Sequence, residues 1–334
     1  MNKNWQKTSP LNRLVWAILV FSSGLVITLL LSLSQGAVPL SFGEFWQALL
    51  HQGDPIKQTI LWDLRLPRIM AALIVGAALG MSGALLQGML RNNLADPFIL
   101  GISAGAGLLV IPMIVLQVYP LAIPLAAWLG AIFTSAVVIF LGRTGGGISI
   151  ERLILGGVAV SSLFGSVQST LLLLAEDGQV QTALSWLVGS LNGRGWQEVY
   201  TAGPYVCVAL LGGCLLARSL NVLALGDDLT VGLGISLMRS RLLIGGVATL
   251  LAAGAVSISG LVGFVGLLVP HGVRLIVGTD HRFVLPLSAV GGAWLLVFAD
   301  LLSRLGAVEL PVGSVTALLG SPLFIWLLYR RSGQ

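Results

Sequence analysis

Long apolar runs alternate with short polar connections from one end of the chain to the other. Each run is near the roughly 20 residues that a helix needs to cross the hydrocarbon core of a bilayer. Ten spans are predicted, at 14–34, 68–90, 97–116, 121–142, 152–174, 199–217, 241–259, 262–277, 283–304 and 314–329. The eighth is short and carries Pro270, His271 and Arg274 in its second half, and the third contains Pro112. Such interruptions are tolerated only where the helix packs on protein or lines a cavity. The first run follows Lys3, Lys7 and Arg13 and so resembles a secretory leader. It is longer than the about 7–15 apolar residues of a leader, so it is expected to stay as the first span.

Three connections are too long to be turns. Segment 35–67 contains SFGEFWQALL, predicted as a short interfacial helix with Phe42, Phe45 and Trp46 at the headgroups. Segment 175–198 carries Trp186 and Trp196, residue types that favour the same depth. Segment 218–240, RSLNVLALGDDLTVGLGISLMRS, has its apolar residues interrupted by Gly226, Asp227, Asp228, Gly232 and Gly234. It predicts two short surface helices joined by a turn, with the two aspartates in the first turn of the second helix, where the helix dipole favours negative charge.

Composition sharpens this picture. Of 334 residues, 56% are hydrophobic and 9% charged, against about 25% charged in a soluble domain. This excludes a large soluble enzyme and leaves an all-α, polytopic membrane protein, read as one transmembrane domain over 1–334. The 43 glycines, with GAALG at 76–80 and GISAG at 101–105, point to closely packed helices. With ten spans both termini share a side. If that side is cytoplasmic, it holds thirteen of the eighteen Lys and Arg, leaving Lys57, Arg65, Arg68, Arg194 and Arg304 outside. The positive-inside bias supports this orientation. It also accounts for the net charge of +5 without a nucleic-acid partner. Cys207 and Cys214 share one apolar run and are expected to be small core residues.

Catalytic chemistry is sparse. The only lysines are Lys3, Lys7 and Lys57, and none lies in the GxxxxGK[ST] loop that cradles nucleotide phosphates. Any ATP-driven work must therefore come from another polypeptide. Asp300 and Arg304 are one helical turn apart in the ninth span and read as a salt bridge, with a proton relay as the alternative. Three dispersed histidines predict no metal site. No cofactor is expected on this chain. Arg65 and Arg68, in LRLPR at the outer mouth of the second span, are unexpected there. With Pro67 at the first helical position, they would oppose the helix dipole by about 0.3–1 kcal/mol each.

The residues also carry a family likeness. RLPRIMAALIVGAALGMSGALLQGMLRNNLADPFILGISAGA (65–106), ALGDDLTVGLGIS (224–236), GFVGLLVPHGVRLIVGTDHR (263–282) and ELPVGSVTALLGSPLFIWLL (309–328) occur in one order. In these motifs the sequence resembles the FecCD-type permeases of bacterial ABC importers, which take up ferric siderophores, haem and vitamin B12. The resemblance implies a multi-pass inner-membrane permease, paired with a second copy or a paralogous permease. It implies two cytoplasmic ATPases holding the ATP and magnesium, and a soluble or lipid-anchored binding protein outside. In the vitamin B12 importer the RLPR arginines, and one at the end of span nine, meet acids on the binding protein; here these positions are Arg65, Arg68 and Arg304. Segment 219–239 resembles the cytoplasmic coupling helices, with Leu225, Gly226, Asp227, Asp228, Gly232 and Gly234 in the motif. Leu94, Ser149 and Ile150 match inner turns that gate the path. An iron chelate is the favoured cargo and vitamin B12 or haem the alternative. The rival of another class is a secondary transporter that needs no ATPase.

Overall fold

The computed structural model describes residues 10–331, apart from 37, 39, 145–146 and 307. Lys3 and Lys7, and the side chains of Phe42, Arg330 and Arg331, fall outside what is described. The helices in chain order are α1 Pro10–Ser34, α2 Phe42–Leu49, α3 Pro55–Thr59, α4 Leu66–Met89, α5 Ile102–Val115, α6 Ile123–Leu141, α7 Ile150–Leu173, α8 Asp177–Val188, α9 Trp196–Leu215, α10 Ala217–Leu223, α11 Asp227–Gly232, α12 Leu237–Ser259, α13 Val265–Val277, α14 His281–Ser303 and α15 Val312–Arg331. Between α6 and α7 lies a two-residue antiparallel ladder, β1 Arg143–Thr144 with β2 Gly147–Ile148. The ten predicted spans correspond to α1, α4 to α7, α9 and α12 to α15. Seven of these are long and apolar enough to cross a membrane alone, and α5, α13 and α15 supply shorter apolar helices.

The bundle centres on α4, with α12, α14, α13 and α9 around it; α5, α6 and α7 form a flank, and α1 lies on α14. Small residues set this arrangement. A Cβ on Gly76 would lie 2.3 Å from the carbonyl oxygen of Gly292, and one on Gly80 would lie 2.1 Å from that of Ser288. The GAALG run therefore lets the backbones of α4 and α14 touch, an approach that larger residues forbid. The faces of α1, α6, α7 and α9 turned away from α4 are rich in exposed Leu, Val and Phe. Cys207 and Cys214 lie among these exposed positions, which corrects their assignment to the core.

The short predicted elements form with identifiable signals. Ser41 and Glu44 make a reciprocal capping box that starts α2. Phe45 is buried against Ala48 and Leu61, while Trp46 stays exposed. Trp186 and Trp196 are pins rather than lipid-facing residues. Trp186 is buried in the core, and the Trp196 indole donates to the Trp62 carbonyl at 2.9 Å.

One expectation about α4 is overturned. Helical structure starts at Pro55, capped by Asp54, and runs unbroken to Met89 through a π-helical turn at Ile60–Arg65. Pro67 lies three turns inside this helix, not at its start. Its ring has no N–H for the Asp63 carbonyl, and the wider turn accommodates that loss with an i→i−5 bond from Leu66 to Leu61. The dipole penalty on Arg65 and Arg68 falls away, because it is confined to a helix's first turn.

Candidate functional site

Two clusters of charge lie at opposite ends of α4 and α14. The first surrounds Asp300, near the C-terminal end of α14. Arg68 donates from Nε to Asp300 Oδ1 at 2.9 Å, and its Nη2 lies 2.8 Å from the same oxygen and 2.5 Å from Glu309 Oε1. Arg304 Nη2 stands 3.0 Å from Asp300 Oδ2, close enough for ion pairing though not aligned as a hydrogen bond. Its Nε donates to the Asp300 carbonyl, and Nη2 also donates to Ser32. The expected Asp300–Arg304 pair is therefore present, and Arg68 joins it. The Asp300 side chain is 0% exposed, Arg68 11%, Arg304 10% and Glu309 34%. Glu309 is the carboxylate that solvent reaches.

Arg65 is different. It is 5% exposed and donates to the carbonyls of Leu33, at 2.5 Å, and Val38. It ties the end of α1 to α4, with the Gly36 backbone wrapped against its guanidinium. Within this cluster, three arginines face two carboxylates, an excess of one positive charge.

The second cluster surrounds Asp227, in the first turn of α11. Arg241 Nη2 donates to both Asp227 oxygens at 2.9 Å, and Arg91 pairs with Asp227 Oδ1. Arg241 is buried, and its Nη1 reaches the Ile148 carbonyl at 2.7 Å. One carboxylate thus joins three segments singled out in the sequence: 219–239, the turn 91–95, and the ladder leading to Ser149 and Ile150. Ser149 caps α7 and Ile150 is its first residue, half-buried; Leu94 is exposed on its own turn.

The segment 219–239 folds as two helices, α10 and α11. Gly226, at φ 117°, makes the turn that an L side chain would strain. Buried Thr230 locks the two helices together by donating to the carbonyls of Gly226 and Val222 at 2.6 and 3.1 Å. Gly234 also has a positive φ, whereas Gly232 does not. Asp228 points to solvent. Leu225, Leu229, Val231 and Leu233 are all more than half exposed, giving this end an apolar face beside an acid.

Sequence reasoning missed three participants. Glu309 was legible as an acid in the ELPVG motif at the same mouth as the arginines. Gln87 gives no pattern signal: it is buried, donates to the carbonyls of Ala95 and Gly266, and accepts from Arg274 at 2.5 Å. That bond turns Arg274 into the bundle. Asn221 is the third. Its Oδ1 accepts from the His281 backbone N–H at 2.9 Å and from Nδ1 at 2.8 Å, and its Nδ2 donates to Asp280 Oδ1 at 2.6 Å.

On the Arg68 side a cavity of about 950 Å³ opens among α5, α6, α8 and α9, lined by Trp128, Thr182, Asn192, Arg194, Tyr205 and Glu309 among others.

Known proteins match nearly the whole chain. The hemin transport system permease protein HmuU of Yersinia pestis is 38% identical over 93% of this chain and 94% of its own. The Fe(3+)-citrate import system permease protein YfmD of Bacillus subtilis is 37% identical, covering 96% of both. The cobalamin import system permease protein BtuC of Halobacterium salinarum is 41% identical over 88% of this chain and 82% of its own. A solved structure described as an inward-facing metal-chelate type ABC transporter superposes with a TM-score of 0.85 at 31% identity, covering 94% of this chain and 98% of the other. The FecCD transport family profile matches residues 24–330, and the chain belongs to that family as a multi-pass transport permease.

Proposed function

We propose that this chain is the membrane permease of an ATP-driven importer for an iron chelate, with the Asp227 end in the cytoplasm and the Arg68 end outside. The observation that carries this reading is the cluster built on Asp227. An exposed apolar face suited to a groove on an ATPase stands directly above the carboxylate that holds both inner turns, through Arg91 and Arg241. A push on that face would reach the turns of Leu94, Ser149 and Ile150 through one arginine each, Arg91 and Arg241, so the gate assignment and the coupling assignment support one another. Leu225, Gly226, Asp227, Asp228, Gly232 and Gly234 are proposed to form the contact with the ATPase, extended here by Leu229, Val231 and Leu233.

Outside, Arg68 and Arg304 are proposed to receive carboxylates of a binding protein. Arg68 already holds one solvent-accessible carboxylate, Glu309, which an incoming acid can replace. Arg65 is proposed to shape this surface from beneath, because its guanidinium is committed to the carbonyls of Leu33, in α1, and Val38, just beyond it. Cargo follows from the relatives, which are named for hemin, ferric citrate, siderophores and cobalamin. The cavity of about 950 Å³ at the outer end suits a solute of that size.

The test is uptake into proteoliposomes containing this chain, its co-encoded ATPase and binding protein, offered radiolabelled ferric siderophore, ferric citrate, haem and cobalamin in turn. ATP-dependent accumulation of a ferric chelate is expected. Accumulation of cobalamin alone replaces the cargo, and uptake without any ATPase overturns the importer reading in favour of a secondary transporter.

A further inference from the structure

Asn221 sits in α10, in the segment proposed to meet the ATPase, yet its side chain turns inward. It uses both ends of its amide on the first residues of α14. The oxygen accepts from the backbone and the ring of His281, and the nitrogen donates to Asp280, the residue that caps α14 by accepting from the Arg282 N–H at 3.0 Å. His281 is buried, and its ring packs so closely on α4 that a Cβ at Gly88 would lie 2.7 Å from Nε2 and 2.8 Å from Leu220 of α10. The Asn221 amide therefore joins α10 to α14, and α4 packs on the His281 ring beside it. From there α14 runs unbroken, through Pro286, to Ser303. Its far end carries Asp300, about 30 Å away at 1.5 Å per residue. Along that length Gly76 and Gly80 seat α4 against Gly292 and Ser288 with backbones in contact, which resists bending or slipping.

We propose that Asn221 is a positioning residue that clamps the coupling segment to the start of α14, so that α14 carries movement between the ATPase end and the Asp300 cluster. Resting on the importer reading, the proposal adds a transmission element to it. Docking outside and nucleotide binding inside would then be linked through one rigid helix, in parallel with the Asp227 route to the inner turns.

The chemistry suggests a swap. Asn221→Asp keeps the acceptor for His281 but sets a carboxylate against Asp280 where a donor stood at 2.6 Å. Adding Asp280→Asn removes the like-charge contact and returns a donor to the carboxylate at position 221; the Asp280 oxygen given up there also capped the Arg282 N–H at 3.0 Å, so the double variant restores the clamp without that cap bond. In the reconstituted complex the readout is the ratio of ATPase rates with and without binding protein. Asn221→Asp is expected to lower this ratio at least tenfold, and the double variant to restore it to within about threefold. If Asn221→Asp assembles and keeps the wild-type ratio, the clamp is wrong. If it fails to assemble, the double variant decides, because an assembled double variant without stimulation also overturns the proposal. A wild-type complex without stimulation sinks the importer reading instead. The clamp is then read on the permease alone by hydrogen exchange at 281–285. Exchange at least tenfold faster in Asn221→Asp, reversed at the His281 amide in the double variant, supports it, and unchanged exchange overturns it.

Discussion

The two charged ends of the bundle solve opposite problems. At the Arg68 end the central acid is fully buried and shared by two arginines that are themselves about nine-tenths covered. At the Asp227 end the central acid is 42% exposed, its buried partner is Arg241, and exposed leucines surround it. A buried ion pair is costly to break, because each half left behind is a charge out of water. A half-exposed one is cheap to rearrange. The first end is therefore suited to holding its shape, with its arginines beneath one solvent-accessible carboxylate, and the second, on the function proposed above, to being grasped and moved.

Asp300→Leu should break this contrast most severely. It leaves Arg68 and Arg304 together without their shared carboxylate, at a cost of about 3–5 kcal/mol. A large fall in the apparent melting temperature of the detergent-solubilised protein is expected, and an unchanged value would show that this end is not held by its acid. Arg68→Lys is gentler. An ammonium keeps the charge beside Asp300 but loses the planar fork that serves Asp300 and a second carboxylate together. Binding-protein affinity should drop about tenfold, equivalent to about 1.4 kcal/mol, with the fold intact. Glu309→Gln should act in the other direction. Removing the half-exposed competitor frees Arg68, and affinity should rise about threefold, within the range of an exposed pair; a fall would mean that Glu309 itself contacts the partner.

The smallest effect concerns the outer segment between α1 and α4. There Lys57 donates to Glu44, which also accepts from the Ser41 N–H, and these bonds hold the Glu44 carboxyl at about 2, down from 4.5. The stabilisation is complete above 4.5 and is lost as pH falls toward 2. Amide protection over 41–49 should weaken in that window and stay level between pH 5 and 8.

Much of this was legible before any coordinates. Span number followed from run length, and the α10–α11 turn followed from Gly226 and the paired aspartates. The Asp300–Arg304 pair followed from helical spacing. What was hidden depends on which helices touch. Arg68 and Asp300 are 232 residues apart, so nothing local shows that the outer arginines are answered within the chain. Arg65 stands in the same motif as Arg68, which gives no sign that it ties the end of α1 to α4; a charge reversal there would bury a carboxylate among carbonyls and damage folding, not docking alone. Pro67 looked like a helix start because prolines favour that position, and only the preceding π turn reveals that the helix began at Pro55. Asn221 and Gln87 are polar residues whose partners lie mostly on helices distant in the sequence, and such pairings leave no periodicity to read.

The central claim is that the two ends answer to different partners. It is tested most directly by measuring both partners' binding to two variants, Leu229→Asp at one end and Arg68→Lys at the other. Leu229→Asp should lose co-purification of the ATPase while holding binding-protein affinity within about twofold, and Arg68→Lys should do the reverse. Retention of the ATPase by Leu229→Asp, or loss of both partners by either variant with the permease still folded, would contradict it.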